Sequence, residues 1–87
     1  MTSVYSNTAR YTLSRILHVT PNTEGTGWQV KVQKSSRVLG RFPRKSDALV
    51  FARDFAQDFA SGRGTRRAFV ISHDRFGVIR STRGFSV

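Results

Sequence analysis

The sequence predicts a single α+β domain, a mostly antiparallel sheet with one amphipathic helix packed on one face, in the order β-β-β-α-β-β. Three observations carry this. Trp28-Gln29-Val30-Lys31-Val32-Gln33 alternates strictly between apolar and polar residues, the period of a strand with one buried face. Between Ser46 and Ala60 the apolar residues recur at helical spacing instead. Short polar segments separate the other apolar runs, which makes hairpins the natural connections. With 87 residues there is room for one modest core.

The elements follow in order. Residues 1–10 read as a flexible N-terminal tail, and the acid-free stretch before Glu24 also has the Ser/Thr/Arg composition of an organelle transit peptide. Tyr11 to Val19 forms a first strand, interrupted by Pro21-Asn22. The turn-rich "NTEGTG" leads into the second strand at Trp28. Lys34-Ser35-Ser36 turns the chain into Arg37-Val38-Leu39-Gly40-Arg41-Phe42, the hairpin partner, which Pro43 closes. Ser46 is placed to cap the helix and Asp47 to complement its dipole, with Gly62 and Gly64 as stops. Ala48, Phe51, Ala52, Phe55, Ala56 and Phe59 share one helix face, opposite Asp47, Asp54 and Asp58. A basic loop, "GRGTRR", precedes the fourth strand, Ala68–His73, and Asp74-Arg75-Phe76-Gly77 turns it into a fifth, Val78–Ser81. The domain then spans 11–83, with 84–87 as a C-terminal tail.

Charge is the strongest functional signal. Fifteen Lys and Arg face five Asp and Glu, a net charge of +10, and 12 of the 15 cations are Arg. A field of that sign draws in polyanions, and the planar guanidinium suits phosphate or guanine contacts. No cysteine is present, which excludes disulfides and thiolate metal sites and fits a reducing cytoplasm. No apolar run approaches the roughly 20 residues of a membrane span. The expected protein is cytoplasmic and has no membrane partner.

Strand parity divides the residues between two faces. Trp28, Val30 and Val32 point one way and Gln29, Lys31 and Gln33 the other; in the partner strand Val38, Gly40 and Phe42 share the core side, while Arg37, Leu39 and Arg41 share the outer side. The expected nucleic-acid-binding surface is therefore Lys31, Arg37 and Arg41, bordered by Lys34, Arg44 and Lys45, with Arg63, Arg66 and Arg67 in the basic loop. Leu39 is a misfit there, either incidental or a partner contact. Trp28 and the helix phenylalanines read as core; were the parity inverted, Trp28 would become a stacking platform. Phe76 and Phe85 are the better candidates for exposed aromatics.

An enzyme is not expected. His18 and His73 stand on different strands, the carboxylate next to either is Asp74, read as a turn residue, and no nucleophile is identifiable. Two histidines and scattered acids fall short of a metal site, and the G-x-G of "SGRGTRR" follows a helix, unlike a phosphate loop. No cofactor is expected.

The series His18-Val19-Thr20-Pro21, Gly27-Trp28-Gln29-Val30-Lys31, Lys45-Ser46-Asp47-Ala48, Ala52-Arg53-Asp54-Phe55-Ala56, Val70-Ile71-Ser72-His73-Asp74 and Gly77-Val78-Ile79-Arg80 resembles a small bacterial family catalogued as domain of unknown function 2188. The resemblance covers residues 17 to 83 and implies a bacterial or phage source and a compact α+β fold, with no activity to carry over. "DRFG" departs from a tighter Asp-Gly turn, and "SGRGTRR" is more basic than the pattern. Residues 28 to 60 are also similar, more distantly, to the plant AP2-type DNA-binding domain, which presents a three-stranded sheet to the major groove. The expected function is a small non-enzymatic module that binds DNA or RNA through an Arg-rich sheet face. The alternative is an adaptor or phage-encoded regulator docking on an acidic protein surface, or pairing as a homodimer through a sheet edge.

Overall fold

The chain folds as β1 (Thr12–Pro21), β2 (Trp28–Val32), β3 (Val38–Phe42), α1 (Lys45–Ala60), β4 (Thr65–His73) and β5 (Ile79–Ser86). This is a computed structural model that describes residues 12–62 and 64–86; the expected N-terminal tail and Arg63 lie outside the described residues. The strands form one sheet in the order β3-β2-β1-β4-β5. Every neighbouring pair is antiparallel except the central one, where β1 and β4 run parallel. A parallel pair needs a crossover, and α1 supplies it by carrying the chain from the β3 edge back across the sheet to β4.

Between α1 and the sheet lies the core. Leu17 and Val19 of β1, Val30 of β2, and Ala68 and Val70 of β4 meet Ala48, Ala52 and Ala56 of α1. An alanine every fourth residue gives α1 a shallow stripe, which brings its backbone close to the sheet. Phe51, Phe55 and Phe59 flank that stripe, half-buried, and close the sides of the core. Trp28 packs on this face as well.

Near the edge, a bulge revises the expected parity. Val30 lies opposite Gly40, but the next residue, Lys31, lies opposite Val38, so Leu39 is an extra residue on β3. An inserted residue reverses the alternation beyond it. Leu39 therefore turns inward onto the core, and Val38, expected inside, shares the outer face with Lys31. The bulge takes the Leu39 isobutyl group off the outer face and packs it, half-buried, against the core. Gly40 beside it leaves room for the Phe42 ring: a Cβ there would stand 3.0 Å from that ring and require it to shift, and the ring packs against Phe51 at 5.2 Å between centroids.

Several boundaries also differ. β1 continues past Val19 through Thr20 and Pro21, which pair with Gln29 and Trp28 of β2, so Pro21 is the last residue of the strand and not a break before it. The helix starts at Lys45 with Arg44 as an extended N-cap (φ −122°, ψ 147°) that makes no side-chain capping bond, so Ser46 lies within the first turn. The chain becomes helical as soon as it clears Pro43, and the first helical bond runs from the Ala48 N–H to the Arg44 carbonyl at 3.2 Å. Thr65, Arg66 and Arg67, expected in a loop, belong to β4, where they pair with Thr12, Leu13 and Ser14 of β1. Backbone pairing with β1 draws them into the sheet. Likewise β5 continues to Ser86 beside β4, so residues 84–86 are strand and not tail.

Candidate nucleic-acid interface

Opposite α1, the sheet presents a second face built from the alternate residues of the same strands. Its centre is an apolar strip of Ile16, Phe69 and Ile71, all half-buried, with Ile16 and Phe69 directly opposite across the parallel pair. Lys31 and Arg41 stand on this face toward the β3 edge, and Arg67 stands on it at the far end of β4. Among the described residues, none of these three has a carboxylate within 4 Å. The acids lie elsewhere: Asp47, Asp54 and Asp58 on α1, Glu24 in the β1–β2 loop and Asp74 in the β4–β5 turn.

The remaining expected contacts are scattered. Arg37 precedes β3 and is exposed, its N–H donating to Ser35 Oγ at 3.0 Å; it does not align with Arg41 on a strand. Arg44 is exposed at the helix cap. Lys45 and Arg66 belong to the helix-covered side. The Lys45 ammonium sits 5.1 Å from the Trp28 ring centroid, and the Arg66 guanidinium 5.1 Å from that of Phe59, which Arg15 also approaches at 5.4 Å. Each of these cations covers an aromatic ring. Arg63 is outside the described residues. Of the two aromatics expected outside, Phe76 is 86% exposed, whereas Phe85 turns onto the core with Arg83 over its ring at 5.2 Å.

Parallel pairing of β1 with β4 does what hairpin logic did not anticipate and brings the two histidines together. His18 Nδ1 lies 2.9 Å from His73 Nε2, with ring centroids 5.1 Å apart. The outer nitrogens are engaged as well: His18 Nε2 is 3.0 Å from Gln33 Oε1, and His73 Nδ1 is 3.1 Å from the Gly77 carbonyl oxygen. The chain lies in an open groove of about 550 Å³, lined among others by Thr20, Gln29, Lys31, Lys34 and Phe76. Gln29 is only 3% exposed, and its amide is 3.4 Å from Thr20 Oγ1. The sequence did carry one signal: relative to the buried Leu17, Val19, Val70 and Ser72, both histidines have outward parity.

At the groove's end, Asp74 is the turn residue the sequence suggests. Its Oδ1 accepts the N–H groups of Phe76 at 2.8 Å and Val78 at 3.0 Å, and Oδ2 stands 3.8 Å from Arg80 Nε. The Val78 N–H foremost holds its carboxyl below the ordinary value of 3.8; burial opposes this, and the Phe76 N–H, Arg80 and Lys45 add smaller lowering effects.

Comparison with known sequences matches residues 17–85 to the model of DUF2188, described as uncharacterized protein conserved in bacteria. The chain belongs to the DUF2188 family. No curated protein and no solved structure matches it. The likeness to the AP2-type domain gains no support. In this DUF2188 chain β2 and β3 are the outer part of a five-stranded sheet whose centre is the parallel β1–β4 pair.

Within the DUF2188 domain, no three His, Cys, Asp or Glu side chains come together among the described residues. The groove offers hydrogen-bond donors, two ammonium groups and a pair of imidazoles, a set that suits an oxyanion better than a cation.

Proposed function

We propose that this DUF2188 domain is a small non-enzymatic module of the bacterial cytoplasm that binds nucleic acid on its open sheet face. The observation that carries the reading is the separation of charge: Lys31, Arg41 and Arg67 face outward with no carboxylate partner among the described residues, while the acidic side chains lie on α1, a loop and a turn. The cations would contact phosphates, with Arg37 and Arg44 at the rim. Ile16, Phe69 and Ile71 between them offer surface for bases or sugars.

Fluorescence anisotropy with labelled single-stranded DNA and RNA, at two salt concentrations, tests this. Affinity should fall steeply with salt, because each neutralised phosphate releases counterions. Absence of binding at about 50 mM salt would overturn the reading. A protein partner retained from native extract after nuclease treatment, with no oligonucleotide binding, would instead favour docking on an acidic protein surface.

A further inference from the structure

The histidine chain in the groove has a proton balance that points to a ligand. The Gly77 carbonyl oxygen only accepts, so His73 Nδ1 carries a proton; with the Gln33 amide oxygen turned toward His18, His18 Nε2 carries one as well. A neutral imidazole has one N–H, which leaves lone pairs on both inner nitrogens, 2.9 Å apart. Two lone pairs at that separation repel unless a cation lies between them. The centroid separation of 5.1 Å equals the N···N distance plus about 1.1 Å of ring at each end, so the nitrogens meet head-on. A proton fits on that line. A metal would draw both lone pairs to a point beside it, about 2.0–2.1 Å from each.

The same heavy-atom positions hold one proton fewer if the Gln33 amide turns over. Its NH₂ then donates to His18 Nε2, His18 Nδ1–H donates to His73 Nε2, and His73 Nδ1–H still donates to Gly77. The chain therefore has two proton counts, one neutral and one cationic, exchanged by a half-turn of an exposed amide. Histidine is the side chain whose charge ordinarily changes near neutral pH.

The cationic form stands in a groove already furnished for an anion. Lys31 from β2 and Lys34 from the β2–β3 turn line it, and among the described residues no carboxylate does. Asp74 is held by its own turn and Arg80, Glu24 lies in the β1–β2 loop beside the lining residue Thr23, and α1 with its acids is on the other side of the sheet. Phe76, 86% exposed, stands at the groove as a surface on which a base can stack.

We infer that the groove seats one phosphodiester of a single-stranded nucleic acid against the proton-sharing His18–His73 pair and Lys31, with the adjoining base on Phe76. The inference rests on the nucleic-acid reading and adds its strand preference and its regulation. Proton uptake and phosphate binding promote one another, because each lowers the electrostatic cost of the other and the coupling is reciprocal. Loss of the shared proton weakens binding at the groove.

Two probes keep a constant charge across the test range: sulfate, and a thymidine trinucleotide without terminal phosphate. Each is titrated at about pH 5.5 and pH 8, following backbone amide and imidazole ¹⁵N shifts. Binding at the groove should tighten about tenfold at the lower pH. His73→Asn should remove that dependence, and Gln33→Glu, at an exposed position, should weaken binding at low pH by giving His18 an internal carboxylate. Sulfate binding that is proton-linked without trinucleotide binding upholds the anion site and overturns the nucleic-acid reading. Binding that ignores pH, persists in its pH dependence in His73→Asn, or maps to the open sheet face away from the groove overturns the inference and leaves the nucleic-acid reading standing.

Discussion

The two faces of the sheet use alternate residues of the same strands, yet treat the same charges in opposite ways. Under α1, Arg15, Arg66 and Lys45 lie over Phe59 and Trp28, and their stems cover the edges of an alanine-lined core. On the open side Lys31, Arg41 and Arg67 cover no ring and meet no carboxylate among the described residues. A net charge of +10 is therefore not a uniform coat. Some of it finishes the core, and some is left directed at solvent, where a polyanion can reach it.

If that division is right, substitutions on the two faces should have separable effects. The largest is expected under the helix. Leu17→Ala removes a fully buried side chain from the central strand and should cost about 2–5 kcal/mol in chemical denaturation, while the folded fraction binds oligonucleotide as before. Next, Lys31→Glu combined with Arg41→Glu should lower oligonucleotide affinity by about two orders of magnitude at low salt and flatten its salt dependence. The midpoint of denaturation should move little, since Arg41 is exposed and Lys31 is half-exposed on the outer side.

A smaller effect belongs to the turn that joins β4 to β5. The Asp74 carboxyl is held below its ordinary value, so its ionised form stabilises the fold. That contribution is complete above the unfolded-state value and is lost as the pH falls from there through the lowered folded-state value. Asp74→Asn should remove this acid-side loss in stability measured against pH. The smallest effect is expected from Lys45→Gln, which takes the ammonium off Trp28: about 0.5–1 kcal/mol of stability, with oligonucleotide affinity almost unchanged. A large loss of binding in this variant would break the division between the faces.

Much of the fold was legible because it rests on local periodicity. The Trp28–Val32 alternation, the helical spacing from Ala48 to Phe59 and the Asp74 turn each signal themselves within a few residues. What escaped depended on distant partners. The β3 bulge, which exchanges Val38 and Leu39 between faces, is a matter of register with β2. Arg66 and Arg67 became strand residues because β1 lies alongside them, and the same parallel pairing joined His18 to His73 across 55 residues. The site was legible as a sign of charge. Its membership was not, because whether Lys45 or Arg66 faces solvent or an aromatic ring is decided by helix docking.

The central claim is that nucleic acid meets the open face and not the helix. Amide shift mapping of the ¹⁵N-labelled protein with a short single-stranded oligonucleotide at low salt tests it most directly. The account predicts perturbations at Lys31, Arg41, Phe69, Ile71 and Arg67 and at the groove residues His18 and Phe76, with α1 unchanged. Perturbations centred on α1, or none on the outer residues of β1, β2 and β4 at saturation, would contradict it.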